Sequence, residues 1–288
     1  EDLIVTRRGN RKLDPETSTS WTAGVVWSPL ANLDFSLDYY DIDPMFGTLS
    51  DFDRLLERAH ALGLRVIVDP GHGGIDPGAQ VDGVSEAALM LQFATELAAA
   101  LQHAGIDARL TRGDDRFIAL ERRTTAARGA RADLFVSLHA DMLPKAQAAG
   151  ATIYTWDAQS NDRAARQLAM LHDRSDLLAG LDLSDAGEDV SRALMDLARL
   201  DTQPRSQDAA RHMVARLNAG GIAMHRVAVR GAAFSVLKSP DIPSVLLEVG
   251  FLSSDRDRAN IADADWRARM AQAVSDAVRA WRQADAAN

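Results

Sequence analysis

Short apolar runs alternate with longer segments of helical spacing from residue 65 onward. Residues 66–68 and 134–138 form nearly continuous apolar runs, which are typical of strands buried on both faces of a parallel sheet. Between them, residues 86–101 carry an apolar stripe at helical spacing, formed by Leu89, Phe93, Leu97 and Leu101. This alternation predicts an α/β fold in which a mixed, mostly parallel twisted sheet carries helices on both faces.

The same alternation continues toward the carboxyl end, with one interruption. Further strand-like runs are residues 107–111, 151–156, 234–237 and the run around Glu248. Further helices cover residues 119–131 and a closing segment built on Trp266, Met270, Val274, Val278 and Trp281. Residues 157–221 interrupt the pattern, because they are polar, lack a strand signal and predict helices over 187–200 and 205–217.

Residues 1–64 follow a different pattern. Residues 15–25 and 33–42 alternate as two strands, which predicts a β-hairpin, and a helix is predicted over 52–62. A lone hairpin has unpaired edges and too few strands for independent stability, so the sequence leaves the order of this segment open. We therefore predict an N-terminal segment, 1–64, and an α/β domain, 65–288, with a helical insertion at about 157–221.

Composition narrows the function classes without selecting one. The 288 residues are 47% hydrophobic and carry a formal net charge of -9. Clustered Lys and Arg are absent, which argues against nucleic-acid binding, and no apolar run approaches the roughly 20 residues of a membrane span. The lack of cysteine leaves the compartment open. No signal peptide is visible at Glu1, so a targeting segment either has been removed or was never included.

Two of the predicted strands end in a histidine. His72 follows residues 66–68 within the sequence DPGHGG, and His139 ends the run 134–138. Because the carboxyl ends of neighbouring parallel strands meet at one edge of a sheet, we expect the two imidazoles to lie close together. Two nitrogen ligands suit zinc, and a carboxylate would complete three protein ligands beside an open position.

Glu86 is the natural candidate for that carboxylate. It follows Ser85, a good helix N-cap, and opens the predicted helix. An acidic side chain in a first turn is also the commonest harmless arrangement, because the helix dipole favours it there. Taken alone, Glu86 fits that second interpretation better.

Glu248 interrupts an otherwise apolar strand. A buried carboxylate destabilises the folded protein unless it is paired or protonated, and one that is kept despite this cost often takes part in catalysis. We therefore assign Glu248 as a general base. The alternative is that Glu248 marks the strand end and pairs with an arginine. The remaining histidines have no strand-end context, and we expect them to be surface or partly buried residues rather than ligands: His60, His103, His172, His212 and His225.

Taken together, these blocks resemble the zinc-dependent N-acetylmuramoyl-L-alanine amidases, which split peptidoglycan between the muramic acid lactyl group and the first alanine of the stem peptide. The resemblance covers roughly residues 65–284. Its blocks fall in family order: 66–78 (VIVDPGHGGIDPG), 109–112 (RLTR), 132–141 (ADLFVSLHAD), 234–240 (FSVLKSP) and 241–253 (DIPSVLLEVGFLS). Several ordered blocks make the resemblance specific, where any one of them would be weak.

The resemblance implies that His72, Glu86 and His139 bind Zn²⁺ and that Glu248 is the catalytic glutamate. It also implies peptidoglycan as the substrate and the periplasm or cell envelope as the location. Members usually follow the ligand glutamate with polar residues, whereas Ala87 and Ala88 follow it here. The ligand glutamate itself is present, so this departure concerns only the polar side chains that usually lie next to it and not the set of metal ligands.

Two other functions stay open. The first is a catalytically silent peptidoglycan-binding or scaffold protein of the same fold, which we would expect to lose at least one of the four site residues. The second is a zinc exopeptidase, whose sites commonly use a second metal and more carboxylates than these motifs supply. All four site residues are present, which favours the amidase.

The insertion suggests autoinhibition. Division-associated amidases that this chain resembles carry a helical insertion here, which closes the open zinc position with a carboxylate and is displaced by an activator protein with a degenerate peptidase domain. Glu188 is the only glutamate in the insertion, and we name it as the possible inhibitory ligand. A solvated acidic face is the alternative, and several aspartates compete with Glu188: Asp182, Asp185, Asp189 and Asp196.

The N-terminal segment does not fit the amidase family. Residues 1–42 resemble a fragment of a TonB-dependent outer-membrane receptor, and residues 43–69 resemble the early strand and helix of an α-amylase-type glycosidase. Neither fragment contains its family's active residues, and residues 66–69 fit both the glycosidase and the amidase patterns. We interpret the chain as a chimera; the alternative is a genuine accessory domain, since amidases of this group often carry an N-terminal wall-targeting β domain.

Overall fold

The computed structural model describes residues 20–30, 33–42, 63–143, 149–178 and 189–285. Contacts between Cα atoms divide the chain into two units, Glu1–Leu56 and Glu57–Asn288. In the first unit, β1 (Ser20–Leu30) and β2 (Leu33–Ile42) pair as an antiparallel hairpin, in which Val25 lies opposite Leu37. The helix predicted over 52–62 lies outside the described residues.

A six-stranded sheet organises the second unit. Its strands are β3 (Arg65–Pro70), β6 (Asp107–Leu110), β7 (Leu134–His139), β8 (Ala151–Trp156), β9 (Met224–Ala232) and β10 (Ser244–Glu248), and their order is β6-β3-β7-β10-β8-β9. Only the β10–β8 pair is antiparallel in this sheet. The predicted α/β fold with a mixed, mostly parallel sheet is therefore confirmed.

Helices cover both faces of the sheet. A short hairpin, β4 (Gln80–Val81) and β5 (Val84–Ser85), leads into α1 (Glu86–His103). The other helices are α2 (Leu120–Gly129), α3 (Arg163–Leu178), α4 (Asp189–Ala219), α5 (Asp255–Ala262) and α6 (Ala264–Asp285). None of the helices within the described residues is both long enough and apolar enough to cross a membrane.

The strands divide their side chains between two cores, as the period of two in a strand requires. Val66 and Val68 of β3 face one core, which α1, α4 and α6 complete, whereas Ile67 faces a second core shared with α2 and α3. The first core contains Phe93, Met270 and Trp281, each almost fully buried. Burial of such a side chain contributes roughly 1.5–3 kcal/mol, so both sheet faces help to hold the strand ends in place.

Three local predictions are wrong. Within the insertion, one continuous helix, α4, covers the residues on both sides of Pro204 for which two separate helices were predicted. The helix continues because its flanks are anchored: Thr202 Oγ1 donates to the Pro240 carbonyl (2.7 Å), and Ser206 Oγ accepts from the Ser244 backbone (2.9 Å). Strand β9 was not predicted, because its half-buried edge position leaves little apolar alternation. Ser235–Leu237 forms a 3₁₀ turn rather than a strand.

Candidate metal centre

His72 lies in the loop directly after β3. Its backbone is left-handed, with a φ of 58°, which costs a residue other than glycine about 1–2 kcal/mol. The imidazole lies close to two carboxylates: Nδ1 is 2.7 Å from Asp76 Oδ2, and Nε2 is 3.2 Å from Glu86 Oε2. Although Nε2 is buried, it makes no well-aligned hydrogen bond within the described residues. The loop thus directs one imidazole nitrogen inward.

Glu86 is the first residue of α1, and its carboxylate is fully buried. The Ser85 side chain caps this helix by accepting from the Ala88 backbone, as predicted. Glu86 Oε2 accepts from the Ala79 backbone (3.0 Å), and Oε1 accepts from the Ala140 backbone (2.9 Å). Glu86 does lie in the first turn, where the helix dipole favours it, but its carboxylate is buried and points into the protein, which the dipole alone does not explain.

His139 ends β7 and completes this group. Its Nδ1 lies 3.1 Å from Glu86 Oε1, and its ring centroid lies 5.0 Å from that of His72. The structure thus brings the three predicted ligands together at the carboxyl edge of the parallel strands. Two imidazoles and a carboxylate form a donor set that suits zinc, and the buried Nε2 of His72, which makes no well-aligned hydrogen bond within the described residues, fits a metal ligand.

Two glycines allow this close approach. A Cβ at Gly71 would collide with the His139 ring, and a Cβ at Gly78 would lie 2.7 Å from Glu86 Oε2. Gly78 also has a positive φ of 64°, which glycine adopts without strain. These contacts explain in physical terms why the loop sequence contains glycine at both positions.

Glu248 lies at the end of β10, beside this group. It pairs in register with His139 of β7 and is fully buried. Its Oε2 accepts from the Asp141 backbone (3.1 Å), whereas Oε1 has no hydrogen-bond partner among the described side chains. Burial raises the pKa of Glu248 well above its usual range, and the nearby Asp141 and Glu86 carboxylates add to this effect. No arginine within the described residues pairs with Glu248, which argues against the alternative that Glu248 marks the strand end and pairs with an arginine.

The pKa values of the other three site residues are shifted, some upward and some downward. Burial works to raise the pKa of Glu86, but His72 and His139 outweigh it and hold that pKa well below its usual range. Burial also works to lower the pKa of His72, which its contacts with Glu86 and Asp76 raise instead. Burial and the neighbouring His172 lower the pKa of His139. The site therefore places a negative charge between two imidazoles.

Asp76 and Asp141 were assigned no role from the sequence, and the prediction that His172 is a surface or partly buried residue is wrong. His172, on α3 in the insertion, is buried and contacts the Asp141 carboxylate. Its ring centroid lies 4.1 Å from that of His139 and 5.6 Å from that of His72. Asp141 had a signal in the sequence, because it follows the strand that ends at His139, whereas His172 had none, because only the packing of α3 brings it to the site.

The remaining predictions for this region have mixed outcomes. The described histidines away from the site are exposed or half-buried, as predicted: His103, His212 and His225. His60 lies outside the described residues. Glu188 also lies outside them, as do Asp182 and Asp185, and the side chains of Asp189 and Asp196 are not described.

Three groups of described side chains have metal-binding spacing, with donor atoms within 4.8 Å of one another. They are His72, His139 and His172; His72, Glu86 and Asp141; and Asp141, His172 and Glu248. A small cavity of about 20 Å³, enough for a water molecule, adjoins His72, His139 and His172. The arrangement provides metal ligands, a carboxylate with one unpartnered oxygen and space beside them.

Comparisons with known proteins are consistent with this site. The profile of the family described as N-acetylmuramoyl-L-alanine amidase matches residues 66–280. The N-acetylmuramoyl-L-alanine amidase AmiA of Escherichia coli is 36% identical over 218 residues, which are 74% of this chain and 74% of that protein. The amidase AmiC of Neisseria meningitidis is 32% identical over 219 residues, which are 74% of this chain and 51% of that protein.

A solved structure and a second family profile add to these matches. The CwlD amidase of Clostridioides difficile, solved in complex with the GerS lipoprotein, is 21% identical with a TM-score of 0.57, covering 77% of this chain and 100% of that chain. At this identity the likeness concerns the fold. The profile described as alpha amylase, catalytic domain, matches residues 17–72, a short stretch that overlaps the predicted glycosidase-like residues 43–69 and begins within the hairpin.

Proposed function

The chain belongs to the N-acetylmuramoyl-L-alanine amidase family, and we propose that it hydrolyses the amide bond between N-acetylmuramic acid and L-alanine in peptidoglycan at a zinc ion held by His72, Glu86 and His139. The observation that carries this proposal is the convergence of two imidazoles and a buried carboxylate at one sheet edge, with Glu248 beside them. Three protein ligands leave a position for water and substrate, as catalytic zinc sites do.

The proposed chemistry divides between the metal and Glu248. When bound, zinc supplies Lewis-acid polarisation of the scissile carbonyl and of the attacking water. Glu248 Oε1, which has no partner among the described side chains, accepts the proton of that water and passes it to the leaving amine. A raised pKa suits this role, because a group that both takes and returns a proton works best when its pKa lies near the working pH.

Asp76 supports His72 in this scheme. Its carboxylate contacts Nδ1 of His72, so the Nδ1 proton is directed outward and Nε2 is left to face the metal. A histidine ligand typically has such a partner on its second nitrogen, which fixes both the tautomer and the ring orientation.

We further propose that the insertion restrains the enzyme through α3 rather than through Glu188. His172 of α3 places its ring against both His72 and His139, within reach of a shared metal ion. A fourth protein ligand at that position would compete with substrate and water for the metal. Release of α3, by an activator protein, would then open the site.

A zinc exopeptidase remains the second candidate, because one observation favours it. Asp141, His172 and Glu248 have donor atoms within 4.8 Å of one another, which is the spacing of a second metal site. Metal analysis separates the two candidates: the amidase requires one zinc per chain, and a two-metal exopeptidase requires two.

The proposed function is tested by metal analysis together with release of stem peptides from purified peptidoglycan. We expect the full chain to bind one zinc and to release peptides that begin with L-alanine. His139→Ala should lose most of its metal and its activity, whereas His103→Ala, which changes an exposed residue of α1, should keep both. Stoichiometric zinc in the His139→Ala variant would refute the ligand assignment.

A cell-envelope location follows from the proposed substrate. Peptidoglycan lies in the cell envelope, so we propose the periplasm or another envelope compartment as the place of action. We propose as its partner an activator protein with a degenerate peptidase domain, as the resemblance to division-associated amidases implies.

A further inference from the structure

We propose that Arg112 and Arg123 are positioning residues for the metal site: their buried guanidinium groups hold the backbone of residues 70–72 and thereby direct the His72 side chain. This inference rests on the proposed zinc site. Both arginines are almost fully buried, with 1% and 3% of their surface exposed, although neither is a proposed ligand. Burial of two cations costs free energy, which hydrogen bonds to their partners must offset.

The partners are the carbonyl oxygens of three successive residues. Pro70 accepts from Arg112 Nε (3.1 Å) and from Arg123 Nη1 (2.8 Å). Gly71 accepts from Arg112 Nη2 (2.7 Å), and the His72 carbonyl accepts from Arg123 Nη2 (2.8 Å). The backbone from the last residue of β3 to the proposed ligand is therefore held at every carbonyl.

This backbone needs external support because it is left-handed. His72 and Gly74 have φ values of 58° and 60°, and Gly73 has a φ of 127°, so residues 71–74 belong to no helix or strand, and Gly73 pairs with Asp76 in an isolated bridge. A residue other than glycine keeps such a conformation only when its surroundings impose it. The guanidinium forks impose it here, and the direction of the His72 ring follows from the backbone.

Arg112 also joins the two segments that carry His72 and Glu86. The same Nη2 atom that donates to Gly71 donates to the Ala87 carbonyl in the first turn of α1 (2.9 Å). Because the acceptor is a backbone oxygen, any residue at position 87 supplies it. The polar support that seemed to be missing at Ala87 and Ala88 is therefore provided by the arginine and the main chain.

Arg123 acts on the site through the backbone rather than on a substrate. Although it adjoins the cavity, its donors are already used: Nε by the Ile118 carbonyl (2.8 Å) and Nη1 by Asp69 Oδ1 (2.9 Å) as well as Pro70. Asp69 is itself fully buried and accepts from Ser137 of β7. The arginine is thus locked between β3, β7 and the ligand loop.

The test compares zinc affinity with stability in Arg112→Lys and Arg123→Lys. Lysine keeps the charge but cannot reach several carbonyls at once. We expect the zinc dissociation constant, measured by competition with a chromophoric chelator on folded protein, to rise about tenfold to a hundredfold, the range typical for residues that orient metal ligands. The thermal midpoint of the metal-free protein, followed by circular dichroism, is recorded in parallel.

Arg267→Lys is the matched control. Arg267 is also buried and donates to the carbonyls of Ile261 (2.8 Å) and Ala262 (3.0 Å), but it belongs to α6 and pairs with Glu96. We expect this control to lower the thermal midpoint while leaving the zinc dissociation constant within twofold of the parent chain. Equal weakening of zinc binding in the control would show a general effect of stability and would overturn the proposal.

Three outcomes decide the proposal. Lysine variants that fold and bind zinc as tightly as the parent chain would overturn it. If neither variant folds, the isosteric Asp69→Asn variant decides instead, because it weakens an ion pair of Arg123 while both hydroxyl donors to Asp69, from Thr111 and Ser137, stay in place. A smaller loss of zinc affinity supports the proposal, and unchanged affinity contradicts it. A parent chain that binds no zinc would refute the proposed function and this inference together, whereas normal zinc binding and cleavage with unaffected variants would refute this inference alone.

Discussion

At the scale of single residues, the two carboxylates of the site have opposite electrostatic surroundings. Glu86 lies between His72 and His139, which keep it charged, whereas Glu248 lies near Asp141 and Glu86, which favour its protonated form. Carboxylates that differ in this way can take different roles in one site. The charged one suits a metal ligand, and the one with the raised pKa suits proton transfer.

Glu248→Gln tests the second role. The amide has nearly the same shape but cannot accept a proton, so we expect the variant to fold and bind zinc while its rate falls by about a hundredfold or more. Peptide release and zinc content are measured on the same preparation. Glu121→Gln, an exposed change on α2, serves as the control. Turnover at the parent rate would end the assignment.

The sequence made some of these residues predictable and hid others. His139 and Glu248 end buried strands and His72 follows one within two residues, and a buried strand leaves a local pattern that shows where the sheet edge lies. His172 is part of an amphipathic helix, where its spacing looks like that of any polar residue. Its place beside Asp141 depends on how α3 packs, which no local pattern encodes.

At the scale of elements, α3 is the part of the insertion that reaches the metal site. It contributes Ala165, Leu168 and Ala169 to the second core, and the same helix carries His172. Because this one helix joins the core and also carries His172, its packing fixes where the His172 ring lies beside His139. We therefore propose that movement of α3 would remove His172 from the site.

His172→Ala tests restraint by α3. Removal of a ligand tethered beside the metal should raise basal hydrolysis severalfold, because a tethered group competes at high effective concentration. His212→Ala, a half-buried change on α4, should leave the rate unchanged. Zinc content is measured alongside the rate of peptide release. An equal or lower rate with full zinc content would show that His172 does not restrain the enzyme.

The predictions of strands were correct where the strand is buried on both faces of the sheet. Strands β3 and β7 lie in the centre of the sheet, so their apolar runs were visible in the sequence. Strand β9 lies at the edge with a half-buried pattern, and Pro204 was a misleading helix stop because tertiary contacts carry α4 through it. Local preference therefore failed where packing against distant residues decides the structure.

At the scale of the whole molecule, every residue assigned to chemistry lies in the unit Glu57–Asn288. The match to the amidase profile also begins only at residue 66, whereas residues 17–72 match a different family. The hairpin of β1 and β2 forms a separate two-stranded sheet, which lacks the additional strands that an independently stable sheet requires. The chimera interpretation therefore stays a prediction with a direct test.

A chain that starts at Gly63 provides that test. It keeps Leu64, which is fully buried in the first core and whose carbonyl accepts from the Asp107 backbone (3.0 Å), so β3 and its pairing with β6 are retained. We expect it to fold, bind zinc and cleave peptidoglycan at the rate of the full chain. A start at residue 69 is the matched control, because it removes most of β3 and should abolish folding.

Limited proteolysis of the full chain gives an independent measure: early cleavage between Asp41 and Ser50 that leaves an active carboxyl-terminal fragment is expected of a chimera. If removal of residues 1–62 abolishes folding, those residues form an integral accessory domain, and the chimera interpretation is wrong.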